Sequence, residues 1–393
     1  MNILMVSASY LPMIGGKEAH IFYLSRSLQK MGHDVTVLTR VFGQAEKIEV
    51  AVERGIRVYR VHSRPYRTPL WMRPLATARG IQQVVRDLGH LDIVHLHDYW
   101  DSTLAVLFYG HQAKRIWTGH SYTFNKHFTG HPLMYQITRF VYAKFDGILA
   151  VSQTLHQQCQ RLWGGRVPIS YIPNGVDTDL FTPDVAVNRA DYGIKEDEFV
   201  VLCPTRMAEQ KGVLYLAQAA KILVRQAPAI KWRFLFLGSD PASNTDSLYI
   251  QQVKSILAPL FERGQVAYLG NVPMEQMPQL NGLADVVVMP SLWEGLSLST
   301  LEAMACRKPL VVTNVGGQPE LVAHEKTGLL VRPKAPPALA DGIFRLHHDP
   351  MLRKQVAQGG YRLVAEQYSW DRVAEQTADF YESLLSNKGK RDE

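Results

Sequence analysis

The chain has 393 residues, which is long enough for two or three domains with substantial cores. Its hydrophobic content of 46% and charged content of 20% are those of an ordinary globular protein, and we expect neither a nucleic-acid partner nor a membrane-spanning helix. Cys159, Cys203 and Cys306 are too few and too far apart for a disulfide framework or a metal site, and they suit a reducing cytoplasm.

The net charge of +7 is concentrated in residues 40–80, where nine Lys or Arg residues stand against three Glu residues. The end of this segment, Arg64–Arg73, mixes cations with Tyr66, Trp71 and Met72. Such a mixture fits an anionic membrane surface, at the inner face of the membrane, or a phosphorylated acceptor. It also fits a solvated loop whose Trp side chain packs into the core, so both interpretations stay open.

The first half of the chain alternates short apolar runs with helical periodicity. Its first run lacks the basic and long apolar regions of a signal peptide and is predicted to be a strand. A helix is predicted over Glu18–Met31, ended by Gly32. The predicted strands are Ile3–Ser7, Asp34–Leu38, Ile93–Leu96, Ile116–Thr118, Gly147–Val151 and Ser170–Ile172.

The second half repeats this alternation. Its predicted strands are Val200–Leu202, Arg233–Leu237, Val266–Leu269, Asp285–Met289, Leu310–Thr313 and Gly328–Val331. Strands that alternate with helices predict an α/β protein with two doubly wound parallel sheets. Pro and Asn-Gly interrupt the pattern around residues 173–183. We therefore predict one domain over residues 1–176, a second over 177–369, a C-terminal helix over 370–386 and a disordered tail over 387–393.

Two loops after predicted strands carry residues that suit phosphate groups. Arg206 and Lys211 follow the strand Val200–Leu202, and a planar guanidinium with a point charge can together hold a diphosphate. Gly15 and Gly16 follow the first strand and would let backbone N–H groups approach a phosphate. A basic loop that only caps a helix, and a plain Gly-Gly turn, would have the same sequences.

Glu294 and Glu302 lie eight residues apart, just after the apolar run Asp285–Pro290. If a helix begins near Ser297, Glu294 lies in the loop ahead of it and Glu302 lies on its second turn. A helix N-terminus attracts anions, so this arrangement suits a ligand with both phosphates and hydroxyls. A capped helix with two solvated acids fits the spacing equally well.

Histidine is concentrated in residues 90–131, which hold seven of the 14 histidines in the chain. His95 and His97 lie on one face of a predicted strand, as the metal ligands of some hydrolases do. No carboxylate-rich or His-rich loops follow the later predicted strands to complete a metal site, so no metal is expected. His120 follows the strand Ile116–Thr118 directly and suits either a ligand-facing imidazole or a core or capping role.

Asp177-Thr178-Asp179 spells D-x-D, a metal and nucleotide-sugar motif of another transferase architecture. Here it lies in the connection between the predicted domains, after Asn174-Gly175, where Asp is a common turn residue. We therefore interpret it as structural.

Five segments in this order resemble the retaining GT-B glycosyltransferases of family GT4. They are the Gly15-Gly16 loop, Ile172–Asp177, Arg206 with Lys211-Gly212, the pair Glu294 and Glu302, and the helix opened by Tyr368-Ser369-Trp370. The resemblance implies two Rossmann-like domains, with an N-terminal acceptor-binding domain and a C-terminal domain that binds a nucleotide-diphospho-sugar in the cleft. It also implies a UDP- or GDP-sugar as co-substrate, no cofactor, a glycan or lipid-linked acceptor, and a final helix that returns to the first domain.

The resemblance also implies roles for individual residues. Arg206 and Lys211 would bind the diphosphate, Glu302 the ribose, Glu294 the transferred sugar and His120 its C6 side. The backbone of Gly295, Leu296, Ser297 and Leu298 would meet phosphate and sugar oxygens. Gly15 and Gly16 would contact the phosphate, and Val272 would touch the base.

Two alternatives to a glycosyltransferase remain open on the sequence. An epimerase or hydrolase acting on nucleotide-sugars can use a similar two-domain fold. A non-catalytic nucleotide-sugar sensor is a third interpretation, although a sensor has less need for cations that stabilise a leaving group. The donor base, the sugar, the acceptor and the oligomeric state are not readable from these motifs.

Overall fold

A computed structural model describes residues 1–12, 15–42, 47–63, 73–97, 102–109, 113–120, 132–238 and 247–386. Its internal contacts divide the chain into two compact units. The N-terminal unit contains Met1–Asn174 and the residues from Trp370 onward, and the C-terminal unit contains Gly175–Ser369. The predicted Arg64–Arg73 surface lies outside the described side chains, and the predicted tail 387–393 lies outside the described residues.

The sheet of the N-terminal unit has the strand order β3-β4-β2-β1-β5-β6-β7-β8. Its strands are β1 (Asn2–Ser7), β2 (Asp34–Phe42), β3 (Ile48–Glu53), β4 (Ile56–Ser63), β5 (Ile93–Leu96), β6 (Lys114–Gly119), β7 (Gly147–Ala150) and β8 (Ile169–Tyr171). All neighbours pair in parallel except β3, which is antiparallel to β4. The order reverses between β1 and β5, and this switch point is where open α/β sheets bind ligands.

The C-terminal unit has a six-stranded parallel sheet in the order β11-β10-β9-β12-β13-β14. Its strands are β9 (Phe199–Cys203), β10 (Trp232–Phe236), β11 (Val266–Tyr268), β12 (Val286–Met289), β13 (Leu310–Thr313) and β14 (Leu329–Val331). Residues 286–289 of β12 are all buried, as expected for a strand covered on both faces. The switch point of this sheet lies between β9 and β12.

Helices occupy most of the connections between strands. In chain order they are α1 (Gly16–Lys30), α2 (Arg73–Leu88), α3 (Thr103–Tyr109), α4 (Pro132–Tyr142), α5 (Gln153–Trp163), α6 (Val213–Gln226), α7 (Leu248–Glu262), α8 (Met277–Leu283), α9 (Leu298–Ala305), α10 (Gln318–Leu321), α11 (Pro336–His348), α12 (Pro350–Gln367) and α13 (Trp370–Ser386). Within the described ranges, none of these helices combines the length and apolar character that a membrane crossing requires.

The last helix, α13, packs in the N-terminal unit although it is far from that unit in sequence. Asp371 accepts a hydrogen bond of 2.7 Å from Ser27 Oγ of α1. The ring of Trp370 stacks on Tyr23 with 5.7 Å between the centroids. Trp370 and Tyr381 are both buried, so this helix belongs to the core of the unit.

All twelve predicted strands are present, with ends that differ by at most a few residues, and the doubly wound α/β class is confirmed. The hairpin β3–β4 was not predicted, because its charged residues gave the impression of a basic segment without strands. Arg54 and Gly55 form its two-residue turn with φ angles of 50° and 84°, as such tight hairpins require. Arg60 forms an ion pair with Glu53 across the two strands, so part of the positive charge here is paired.

Candidate functional site

The C-terminal unit brings several predicted residues to the carboxyl ends of three neighbouring strands. Arg206 and Lys211 follow β9, Glu294 follows β12, and a Gly-Gly pair follows β13. Because β9 and β12 flank the switch point, these loops meet where an α/β sheet binds its ligand. The sequence predicted this gathering for the first two loops.

The central contact is an ion pair between Lys211 and Glu294. Lys211 Nζ lies 2.6 Å from Glu294 Oε1, and Ser291 Oγ donates to the same oxygen at 2.8 Å. The Glu294 side chain is 10% exposed and that of Lys211 is 21% exposed, so solvent screens this pair only in part. The pair places a cation and a carboxylate next to each other at this edge of the sheet.

Two glycines hold the loops that carry this pair. Gly212 has φ 63°, and a Cβ atom there would lie 2.0 Å from the carbonyl oxygen of Pro290. Gly316 has φ 54°, and a Cβ atom there would lie 1.9 Å from the carbonyl oxygen of Glu294. Both positions therefore require glycine. Further bonds tie the loops together, since Leu292 N donates to Gln210 O at 2.8 Å and Gly317 N donates to Gly295 O at 2.8 Å.

Sequence reasoning did not single out the Gly316-Gly317 pair. The available signal was its position directly after the predicted strand Leu310–Thr313, the same context that drew attention to Gly15-Gly16. What the sequence did not reveal is that the backbone of Glu294 lies against Gly316, because that contact joins two separate strand-end loops.

Helix α9 begins as predicted, with Ser297 as its N-cap. Ser297 Oγ accepts a hydrogen bond of 3.3 Å from Thr300 N, and the backbone of Ser297 is extended. Gly295, Leu296 and Leu298 are buried around this helix start. The first N–H groups of a helix have no acceptor within the helix, so this end is suited to an anion.

Arg206 differs from Lys211 in its surroundings. It is exposed, and no ion pair to it is found among the described residues. Its backbone is held closely, because Gly238 has φ 78° and a Cβ atom there would lie 2.5 Å from Arg206 Cα. A guanidinium on a fixed backbone next to the switch point can reach an anionic ligand.

Glu302 lies on the second turn of α9, as predicted. Burial raises the pKa of its carboxyl to about 7. Near neutral pH the group therefore exists in both protonation states, and a ligand that donates hydrogen bonds to it would favour the ionised state. Val272 lies after β11, the edge strand two places from β9, and is partly buried.

In the N-terminal unit, Gly15 caps α1 and Gly16 opens it. A Cβ atom at Gly15 would lie 2.3 Å from Glu18 Oε2, so glycine makes room there for a carboxylate that sequence reasoning had not singled out. Ser9 Oγ donates to this carboxylate. The paired glycines therefore form the N-terminus of α1 beside a carboxylate, and they are not an isolated turn.

His120 follows β6, as predicted, and its ring nitrogen Nε2 lies 3.0 Å from His97 Nδ1. Burial lowers the pKa of the His120 imidazole well below its usual value, so the ring is neutral near pH 7. His95 lies beside His97 with 4.1 Å between the ring centroids, which confirms that both side chains share one face of the strand. His95 itself bonds to Tyr381 and Thr118.

The predicted structural role of Asp177 in the D-x-D sequence is confirmed. Its Oδ1 accepts hydrogen bonds from the backbone N–H groups of Asp179 at 3.1 Å and Leu180 at 3.2 Å. The carboxylate therefore closes a turn.

Both halves of the chain match family models. The model of "Glycosyl transferases group 1" matches residues 184–363, and the model of "Glycosyltransferase Family 4" matches residues 14–180. An uncharacterized glycosyltransferase of Methanocaldococcus jannaschii is 28% identical, over 99% of this chain and all of the relative. A GDP-mannose-dependent alpha-(1-6)-phosphatidylinositol monomannoside mannosyltransferase of Mycobacterium tuberculosis is 29% identical, over 63% of this chain and 65% of the relative.

Among solved structures, the sucrose-phosphate synthase of Thermosynechococcus elongatus has a similar fold. The TM-score is 0.81 with 23% identity, over 98% of this chain and 99% of that chain. At this identity the likeness concerns the fold alone.

Proposed function

Since this chain belongs to the group 1 glycosyltransferases of family 4 and has their GT-B fold, we propose that it transfers a sugar from a nucleotide-diphospho-sugar to an acceptor hydroxyl. The observation that carries this proposal is the Lys211–Glu294 ion pair at the switch point of the C-terminal sheet. In this proposal the lysine stabilises the departing diphosphate, and the carboxylate beside it binds the hydroxyls of the sugar.

The departing diphosphate gains negative charge as the glycosidic bond breaks, and fixed positive groups stabilise that charge. Lys211 is held by Glu294, Arg206 is available on a fixed backbone, and the N-terminus of α9 adds backbone N–H groups. In this proposal Gly295, Leu296, Ser297 and Leu298 line the phosphates. No metal is assigned a role.

The remaining donor contacts follow the family resemblance. Glu302 accepts hydrogen bonds from the ribose hydroxyls, and Val272 touches the base. His120 contacts the C6 side of the sugar as a neutral imidazole, and Gly15 and Gly16 approach the phosphate. We further propose that the anomeric configuration is retained, with the acceptor hydroxyl losing its proton to the leaving phosphate on the same face of the sugar.

For the acceptor we propose a lipid-linked molecule at an anionic membrane. Leu133, Ile137 and Phe140 are exposed on α4, at the i, i+4 and i+7 spacing that places them on one helix face. Lys144 lies 4.8 Å from the centroid of the Phe140 ring, which puts positive charge beside this apolar face. An apolar helix face with neighbouring cations suits the interface of an anionic bilayer.

The first experiment is a thermal-shift screen of UDP- and GDP-sugars, because a ligand at 100 times its dissociation constant stabilises by about 2.7 kcal/mol. The donor so found is then incubated with the protein, with water as acceptor, and release of the nucleoside diphosphate is measured. We expect Lys211→Ala to lower this rate by about 10²–10³ while the donor still binds, because one leaving-group contact is lost.

Lys221→Ala is the matched control, since Lys221 is an exposed lysine on α6 of the same unit. Unchanged turnover in Lys211→Ala and in Arg206→Ala would contradict the leaving-group assignment. Product analysis separates the epimerase activity, because that activity would convert the donor sugar and leave the nucleotide attached.

A further inference from the structure

Strand β3 forms one edge of the eight-stranded sheet, and its outer side has no neighbouring strand among the described residues. The strand has six residues, Ile48–Glu53, which alternate apolar side chains with glutamates and include no proline. Val50 is 53% exposed and Val52 is 72% exposed. An edge strand of this length that exposes β-branched side chains is a surface on which another strand can pair. The proposed glycosyl transfer does not use it.

The pairing of β3 with β4 shows which backbone groups of β3 face outward. His62 N donates to Lys47 O at 2.8 Å, so position 47 bonds towards β4. Hydrogen-bonded and non-hydrogen-bonded positions alternate along an antiparallel pair, so every second residue from 47 to 53 bonds towards β4. The N–H and C=O groups of Ile48, Val50 and Val52 therefore point to the open edge. They offer a row of backbone donors and acceptors to a further strand.

The same strand of a second copy satisfies all of these groups in one register. Around a twofold axis the two edge strands run antiparallel. With the axis at Val50, this residue faces the partner's Val50, and Ile48 faces the partner's Val52. This is the register in which all three outward-facing residues pair within β3. Their β-branched side chains then meet on one face of the joined sheet, where such pairs are stabilising.

The charges of β3 favour the same register. With the axis at Val50, Lys47 faces the partner's Glu53, and this pair of opposite charges occurs twice. With the axis at Ala51, Glu49 would face the partner's Glu53, and with the axis at Glu49 the two Glu49 carboxylates would face each other. Like charges directly opposite each other destabilise a strand pair, so these two alternatives are disfavoured.

We propose that two copies of this chain associate edge to edge through β3, with the twofold axis at Val50, so that their N-terminal sheets join into one. Within each copy Lys47 also pairs with Glu49, and Glu53 pairs with Arg60, so the joined edge carries charges of both signs. Two paired strands of six residues make a small interface. The dimer is therefore reversible and dissociates on dilution.

Sedimentation velocity of the full chain over a dilution series tests the association. We expect wild type to be mostly dimeric at about 100 μM, as a dissociation constant of about 10 μM implies. Val50→Lys places two ammonium groups at the axis and should weaken dimerisation by at least about tenfold. Met351→Lys is the matched control, since Met351 is 78% exposed on α12 of the other unit. Thermal unfolding checks that both variants are folded.

Cysteine cross-linking tests the register. Hydrogen-bonded partners in an antiparallel pair have Cα atoms about 5.5 Å apart, which lies within the range of disulfides. Val50→Cys should therefore form a disulfide-linked dimer under mild oxidation. Val52→Cys should not, although position 52 is more exposed, because four residues at about 3.4 Å each separate it from the partner's Val52 along the strand. Oxidised wild type is the blank, since its three cysteines are buried.

Wild type that stays monomeric at about 100 μM would overturn the proposal, as would a dimer that Val50→Lys leaves unchanged. Equal cross-linking of Val50→Cys and Val52→Cys would contradict the register with the axis at Val50. Because the readouts are association and cross-linking in the absence of donor and acceptor, their outcome is independent of the proposed glycosyl transfer.

Discussion

At the scale of single residues, Glu302 shows that a count of charged residues does not reveal which carboxyl groups are buried. In the sequence it is one of two acids near a helix start, and both could have been solvated. In the structure its partner Glu294 has a lysine beside it, whereas burial raises the pKa of Glu302 from its usual 4.5 to about 7. Near pH 7 the buried Glu302 carboxyl therefore exists in both protonation states.

The raised pKa of Glu302 predicts a pH-dependent stability. Between pH 4.5 and about 7 the folded state holds a proton that the unfolded chain has released, so this contribution to stability is lost as the pH rises through that window. At about pH 8, Glu302→Gln should therefore unfold at a higher temperature than wild type, with a free energy of unfolding larger by at most about 3 kcal/mol. At about pH 4 the two proteins should unfold at the same temperature.

Thermal unfolding of both proteins across this pH range measures the effect. Glu262→Gln is the control, because Glu262 is exposed at the end of α7. Parallel curves of unfolding temperature against pH for Glu302→Gln and wild type would contradict the interpretation.

At the scale of elements, helix starts were predicted well and the hairpin was not. The N-cap at Ser297 follows from local chemistry, since a serine oxygen bonds to an N–H group three residues later. The hairpin β3–β4 depends on cross-strand pairs, such as Arg60 with Glu53, whose charges resemble a solvated segment until the strands are paired. The predicted membrane contact of Arg64–Arg73 lies outside the described side chains, and α4 offers a separate surface for a membrane.

The apolar face of α4 predicts membrane binding. Replacing Leu133 and Phe140 together by Ser should lower co-sedimentation with anionic liposomes by at least about tenfold in the partition coefficient, because each large apolar side chain contributes about 1.5–3 kcal/mol when fully buried. Leu248→Ser is the control, since Leu248 is 84% exposed on α7 of the other unit. Equal partition of the double variant and wild type would show that this face does not meet the membrane.

At the scale of the whole molecule, helix α13 near the C-terminus packs into the core of the N-terminal unit. Tyr381 of α13 is fully buried and its hydroxyl lies 2.6 Å from His95 Nδ1, a contact between residues 286 positions apart. Val373, Ala374 and Leu384 are buried on the same helix. The N-terminal unit therefore has a core that is incomplete until the end of the chain is present.

This closure predicts the effect of truncation. A chain that ends at Ser369 should lose the cooperative unfolding and protease resistance of the N-terminal unit, because it exposes the surface that α13 covers. A chain that ends at Ser386 should behave as the full chain, since it keeps all of α13. Limited proteolysis with identification of the fragments makes the comparison. An intact, resistant N-terminal unit in the shorter chain would contradict the expectation.

The sequence by itself determined the α/β class, the twelve strands it named, the start of α9 and the family, because these depend on periodicity, capping and loops read in order along the chain. Tertiary structure alone decided which side chains meet. The approach of Gly316 to Glu294, the carboxylate of Glu18 beside Gly15, and the bond from His20 to Asn174, 154 positions away, join loops and helices that the sequence lists separately. Burial depends on those same contacts, so the pKa of Glu302 and the neutral histidines also emerged only from the fold.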